Sequence, residues 1–175
     1  DVQMDRKRDR NRPLLLKELE QHPGDPYILF QLGKDAEIGD DYADACDRYG
    51  AALAGTPQEA NWRHELLVRY LHALGQAGRA AEALDLAERE IQLWVNSPDF
   101  FFVLGNLALD RAMSDPVHAL DQWLPLASSA WERCLEIGER PDLEGSVRGR
   151  GSNLARHNLD VVRAQLALLG SGAAA

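Results

Sequence analysis

The residues best suited to chemistry gather in one stretch, GERPDLEGSVRGRGSNLARHNL, which runs from Gly138 to Leu159. Here Gly145, Gly149 and Gly151 lie close to Arg148 and Arg150. Glycines that free the backbone and arginines that pair with oxyanions are the parts of a phosphate cradle. A phosphate loop also needs a preceding strand and a Gly-Lys-Ser/Thr ending, and both are missing. An arginine-glycine nucleic-acid segment is longer and sits in a basic chain. The stretch therefore reads first as a joint between helices. Arg148 and Arg150, beside the N-terminus of the helix that follows, are its candidate contacts for an anion or an acidic partner.

Other reactive side chains do not converge. His64 and His72 fall about two turns apart on one helix, too far for a compact metal site. His22, His118 and His157 have no partner visible in the sequence, and the pair Asp40-Asp41 lies at a turn without the facing group that acid-base work requires. Cys46 and Cys134 both sit inside helical patterns, which suggests neither a disulfide framework nor a zinc site. No catalytic residue, metal or cofactor is expected. The chain has 28 acidic and 19 basic side chains, a net charge of −9, which disfavours nucleic acid and anionic membranes as general partners. The basic run Arg6 to Arg12 reads as a solvated helix start or a lead-in from an upstream domain. No apolar run approaches the roughly 20 residues of a membrane helix, and no leader opens the chain. A cytoplasmic fragment is the expectation.

The elements that must position these groups are helices. Apolar residues recur at helical spacing, as in Ile28, Leu29, Leu32 and Ala36, then Leu66, Leu67, Tyr70, Leu71 and Leu74. Asp25-Pro26, Ser97-Pro98 and Asp115-Pro116 each set a capping side chain before a proline suited to a first turn. Thr56-Pro57-Gln58-Glu59 reads as a capping box. Gly39, Gly78 and Gly138 mark stops. Each helix is short and one-sided, so it needs a neighbour to cover its apolar stripe.

The spacing within the first pair, Leu29-x2-Leu32-Gly33-x2-Ala36 and then Ala45-x3-Tyr49, resembles the tetratricopeptide repeat, a helix-turn-helix unit of about 34 residues. Gly33 and Ala45 are small where the two helices approach, with Leu29, Leu32, Tyr42 and Tyr49 around the contact. A second unit uses Leu67, Leu71 and Leu74, then Ala83, Ala87 and Ile91. A third has Phe101-x2-Leu104-Gly105-x2-Ala108, then Ala127-x3-Trp131. Gly105 to Ala127 is 22 residues where Gly33 to Ala45 is 12, and the surplus predicts a short added helix broken at Pro125. The fold class is thus all-α, a right-handed tetratricopeptide-like superhelix of about three and a half helix pairs with an extra short helix in the third. Residues 1–9 form a basic lead-in, 10–170 a single helical domain, and 171–175 a disordered tail.

A wider resemblance rests on longer stretches. AWERCLEIGERPDLEGSVRGRGSNLARHNL (Ala130 to Leu159) and RNRPLLLKELEQHPGDPYILFQLGKDAEIGDDYADA (Arg10 to Ala45) resemble the repeat region that follows the catalytic domain of bacterial family-2 glycosyltransferases. That family's catalytic domain carries an Asp-x-Asp metal motif, which does not occur here. The resemblance implies a repeat module that holds an acceptor protein or pairs subunits, and it carries over no catalytic residue. The rival readings are a free-standing scaffold or co-chaperone-like adaptor, and an independent enzyme.

Tetratricopeptide arrays bind extended peptides on the face lined by the first helix of each pair. That register places Tyr27, Phe30, Gln31 and Lys34 on the face, then Val68, Arg69 and His72, then Phe102 and Asn106, then His157 and Asn158. Lys34, Arg69, Asn106 and Asn158 only partly match the clamp that grips a peptide carboxylate. Trp123, in the added segment, has no packing position and is the candidate contact for a partner or for a homodimer. The expected partners are a protein or peptide, or a second copy of the chain.

Overall fold

Helices begin here where a side chain can accept the first unpaired backbone N–H groups. Asp25 accepts from the N–H of Tyr27 and Ile28 at 2.9 and 3.0 Å, and Ser97 accepts from Phe100 at 3.0 Å. In each case a proline follows in the first turn, where its missing donor costs nothing. The structure is a computed structural model that describes the backbone of residues 2–172 and the side chains of residues 12–167. Residues 173–175, most of the expected tail, lie outside it. The described residues are all-helical, with eight α-helices, one 3-10 turn and one π turn, and without a strand. None of these helices is long and apolar enough to cross a membrane.

Contacts gather into two compact units, Asp1–Arg79 and Ala80–Ala175. The first holds α1 (Val2–Gln21), α2 (Pro26–Ile38), α3 (Tyr42–Gly55) and α4 (Arg63–Gln76). In it α1 packs on α2, α2 on α3, and α3 on α4. Its core is Leu29, Leu32, Ala36, Ala45, Tyr49, Ala52, Leu66, Leu67, Leu71 and Leu74. Arg12 fastens α1 to its neighbours by ion pairs to Asp35 of α2 at 2.7 Å and Asp44 of α3 at 3.2 Å. The last arginine of the basic run is therefore a structural clamp rather than a solvated charge, while the side chains of residues 6–11 lie outside the described ones.

The second unit holds α5 (Ala80–Glu90), a 3-10 turn (Ile91–Leu93), α6 (Pro98–Ser114), a π turn (Ala119–Trp123), α7 (Leu124–Ile137) and α8 (Asn153–Gly172). Here α5 packs on α6, α6 on α7, and α7 on α8. Phe100, Leu107, Ala108, Ala127, Trp131, Cys134 and Ala155 form its core.

In each unit a glycine lets an aromatic ring on the next helix come close. A Cβ on Gly33 of α2 would collide with the ring of Tyr49 on α3, and a Cβ on Gly105 of α6 would collide with the indole of Trp131 on α7. Both rings are fully buried, so neither can swing aside. Tyr42, expected beside the first contact, is instead half-buried, with its ring edge-on to His72 at 6.3 Å.

Four local expectations change. Thr56 closes α3 instead of opening a helix: its hydroxyl donates back to the Ala52 carbonyl at 2.6 Å, and α4 starts only at Arg63. Asp115 likewise ends α6, with its N–H on the Arg111 carbonyl, and its side chain is taken by Trp123 and His118. Pro125 breaks nothing, because it sits in the first turn of α7, where a proline is tolerated. The surplus residues form the π turn that runs into that helix. After α2 the left-handed residue is Asp40, at φ 56°, whereas Gly39 is at −89°.

Candidate functional site

In the first unit, the expected cations are already occupied. Lys34 pairs with Glu65 at 2.9 Å, and Arg69 pairs with Glu65 at 2.7 Å and Glu37 at 3.0 Å. The Tyr49 hydroxyl donates to Glu37 at 2.6 Å. Two cations and two carboxylates make a neutral lattice that joins α2 and α4. Burial pushes the Glu65 carboxyl up, but hydrogen bonds from Lys34 and Arg69 outweigh it and hold the group below its ordinary range. Burial, followed by the charge of Glu37, raises the Tyr49 phenol. For Arg69, burial works to lower the guanidinium, yet Glu37 and Glu65 raise it overall.

The aromatic part of this face is also partly spent. Phe30 is buried, stacked on Trp62 with ring centres 5.3 Å apart, and the Lys34 ammonium lies 5.1 Å from its ring centre. It packs between helices and is not open to a ligand. Tyr27 remains exposed, edge-on to Trp62 at 5.3 Å. Gln31 and His72 are half-buried and Val68 is buried. Of the residues expected on this face in the first unit, Tyr27 is thus exposed, and Gln31, Lys34, Arg69 and His72 are partly so.

In the second unit, Asn158 donates to the Asn106 side-chain oxygen at 3.1 Å, which links α8 to α6. His157 is exposed and Phe102 is half-buried. The Arg150 guanidinium covers Phe102, 5.4 Å from its ring centre.

The Gly/Arg stretch is a built loop. Asp99, in the first turn of α6, is 1% exposed. Its carboxylate accepts from the Val147 N–H at 2.9 Å and from Arg150 at 3.1 Å. Glu139 takes the N–H of Gly149 at 2.9 Å and the hydroxyl of Ser152 at 2.5 Å. Gly138, Gly145 and Gly149 all have positive φ, and any Cβ on Gly151 would strike the Gly138 carbonyl. Burial pushes the neighbouring Cys134 thiol up to about 12, with the charge of Asp99 adding to the effect. Arg150 is therefore the counter-ion of a buried carboxylate, whereas Arg148 is exposed. Arg148 borders a shallow cleft of about 350 Å³ with Glu139, Pro141 and Ser146. Nothing in the residue types marked Asp99 as the partner, since the two charges are 51 positions apart.

Trp123 is half-buried and held on two sides. Its indole N–H donates to Asp115 at 3.0 Å, and the Arg111 guanidinium lies 5.2 Å from its ring centre. The bond from Trp123, with help from His118, holds the Asp115 carboxyl below its ordinary range. The ring forms one wall of a cleft of about 410 Å³, whose other walls include Leu84, Ile91, Leu104 and Leu126. This cleft was not legible in the sequence, because it depends on how the π turn lies against α5 and α6. No group of three or more His, Cys, Asp or Glu among the described residues is placed to hold a metal ion.

No protein-family model, curated protein or solved structure matches the chain.

Proposed function

We propose that this chain is a protein- or peptide-binding module built on tetratricopeptide-type helix pairs, serving as the acceptor-holding or subunit-pairing part of a family-2-like glycosyltransferase. The observation that carries the reading is the close glycine-under-aromatic contact between paired helices found in both units, Gly33 with Tyr49 and Gly105 with Trp131. A contact of this kind fixes two antiparallel helices at close range. It leaves the outer side of the first helix to other work, which in α2 is the side of Tyr27 and Gln31.

The neutral Lys34–Glu65–Arg69–Glu37 lattice speaks against the adaptor that grips a peptide carboxylate, because each cation would have to give up a carboxylate it already holds. Tyr27 and Gln31 suit a peptide held through its backbone amides and one apolar side chain.

An array of immobilised peptides probed with the full chain tests this. A defined peptide class should be retained, and Tyr27→Ala should weaken it about tenfold, as for an aromatic hot spot. Retention of no peptide, or equal retention by the variant, would remove the α2 face from consideration. A stable dimer by light scattering that retains no peptide would favour subunit pairing.

A further inference from the structure

We propose that the cleft between α5, α6 and the π turn docks a partner-protein peptide that presents a bulky apolar side chain beside a lysine or arginine. This goes beyond the reading above and rests on different residues, all of them in the second unit.

Four observations bear on the cleft. Its lining is largely apolar, with Leu84, Ala87, Ile91, Leu104 and Leu126. Its volume of about 410 Å³ falls within the roughly 300–1,000 Å³ of ligand-binding clefts. The charged side chains that line it are Asp85 and Glu88. Both are exposed, and no basic side chain lines the cleft to neutralise them. An apolar group entering here meets two carboxylates at the mouth, so a neighbouring cation gains and a neighbouring anion loses.

The fourth observation concerns the wall. Trp123 ends a five-residue π turn, a geometry that is rare and concentrates at functional positions. Its indole is pinned by Asp115 and covered by Arg111. A ring fixed before binding loses little freedom when a ligand packs on it.

Between the end of α6 and the π turn, Met113, Val117 and Leu120 are 72%, 81% and 64% exposed. A small molecule confined to the cleft would not cover them. A peptide crossing the segment can, which favours a macromolecular ligand.

The test uses the full chain and a fluorescein-labelled peptide, Gly-Lys-Phe-Leu-Lys-Gly, read by fluorescence anisotropy against the same peptide with both lysines replaced by glutamate. The lysine probe should bind, and the glutamate probe should bind about tenfold more weakly. The double variant Asp85→Asn, Glu88→Gln removes only exposed charges, so its melting curve should match the parent. It should bind the lysine probe about five- to tenfold more weakly, with less dependence on salt. Equal affinity for the two probes, or unchanged affinity in the double variant, would overturn the proposal. So would a chain that binds neither probe but forms a dimer that the double variant dissolves, since a second copy would then fill the cleft. Tyr27→Ala should leave lysine-probe binding unchanged, so failure of the α2 face and failure of the cleft are read separately.

Discussion

A carboxylate removed from water needs a partner, and at Asp99 the charged partner is Arg150, 3.1 Å away, with a backbone N–H from Val147 completing the site. Arg150→Ala leaves that charge buried without its counter-ion. The cost should be about 3 kcal/mol, the lower end for a broken buried pair, because Arg150 keeps some contact with water. Arg148→Ala removes an exposed side chain and should fall within about 0.5 kcal/mol of the parent. Urea unfolding of the two variants side by side checks this, and equal midpoints would mean that the loop is a passive connector after all. The sequence placed both arginines in a joint and offered them jointly as anion contacts. It could not separate them, because what distinguishes Arg150 is a carboxylate brought close only by folding.

At the scale of elements, the helix starts at Asp25 and Ser97 follow from local chemistry, a capping oxygen followed by a proline. Thr56 and Asp115 carry the same local signal and end helices instead. The Thr56 hydroxyl bonds to the carbonyl four residues back, and the Asp115 carboxylate is drawn to an indole eight residues ahead. The helix-to-helix contacts are better specified. Gly33→Ala would gain about 1 kcal/mol of helix propensity in an isolated peptide. In this fold its Cβ meets the buried ring of Tyr49, and overpacking of this kind costs about 1–3 kcal/mol. We expect a net loss of stability for Gly33→Ala, and the same sign for Gly105→Ala against Trp131. A rise in the urea midpoint of either variant would show that its two helices are not held at this point.

For the molecule as a whole, a net charge of −9 at neutral pH and an isoelectric point near 5.0 mean that self-repulsion eases as the pH falls from 7 toward 5. Glu65 acts in the other direction at lower pH. Its carboxyl is held below the ordinary value of 4.5 in the folded chain, so its contribution is fully present above that value. The contribution shrinks as pH falls below it and is gone beneath the lowered folded value. Stability should therefore be greatest between the isoelectric point and neutrality and should decline below about pH 4.5. Glu65→Gln, which cannot titrate, should make the acid decline shallower. Denaturant midpoints across this range for both proteins check the sign, and parallel acid limbs would show that other carboxylates govern it.

What the sequence determined by itself is the helical class, most of the packing positions and the place of Gly33 at a close approach of two helices, whereas the rings of Tyr49 and Trp131 over Gly33 and Gly105 are set by the packing itself. Leu32, Tyr49, Leu71, Leu104 and Trp131 were legible as core from their periodicity, because a stripe repeating every three to four residues has to be covered whatever covers it. What only the tertiary structure decided is which polar groups remain available. Lys34 and Arg69 are matched with Glu65 and Glu37, Phe30 is buried against Trp62, and Arg150 is matched with Asp99. Trp123 is turned into the wall of a cleft. Hydrophobic periodicity is a property of neighbours along the chain, but charge pairing and cleft formation depend on residues tens of positions apart, and their distances exist only once the helices have packed.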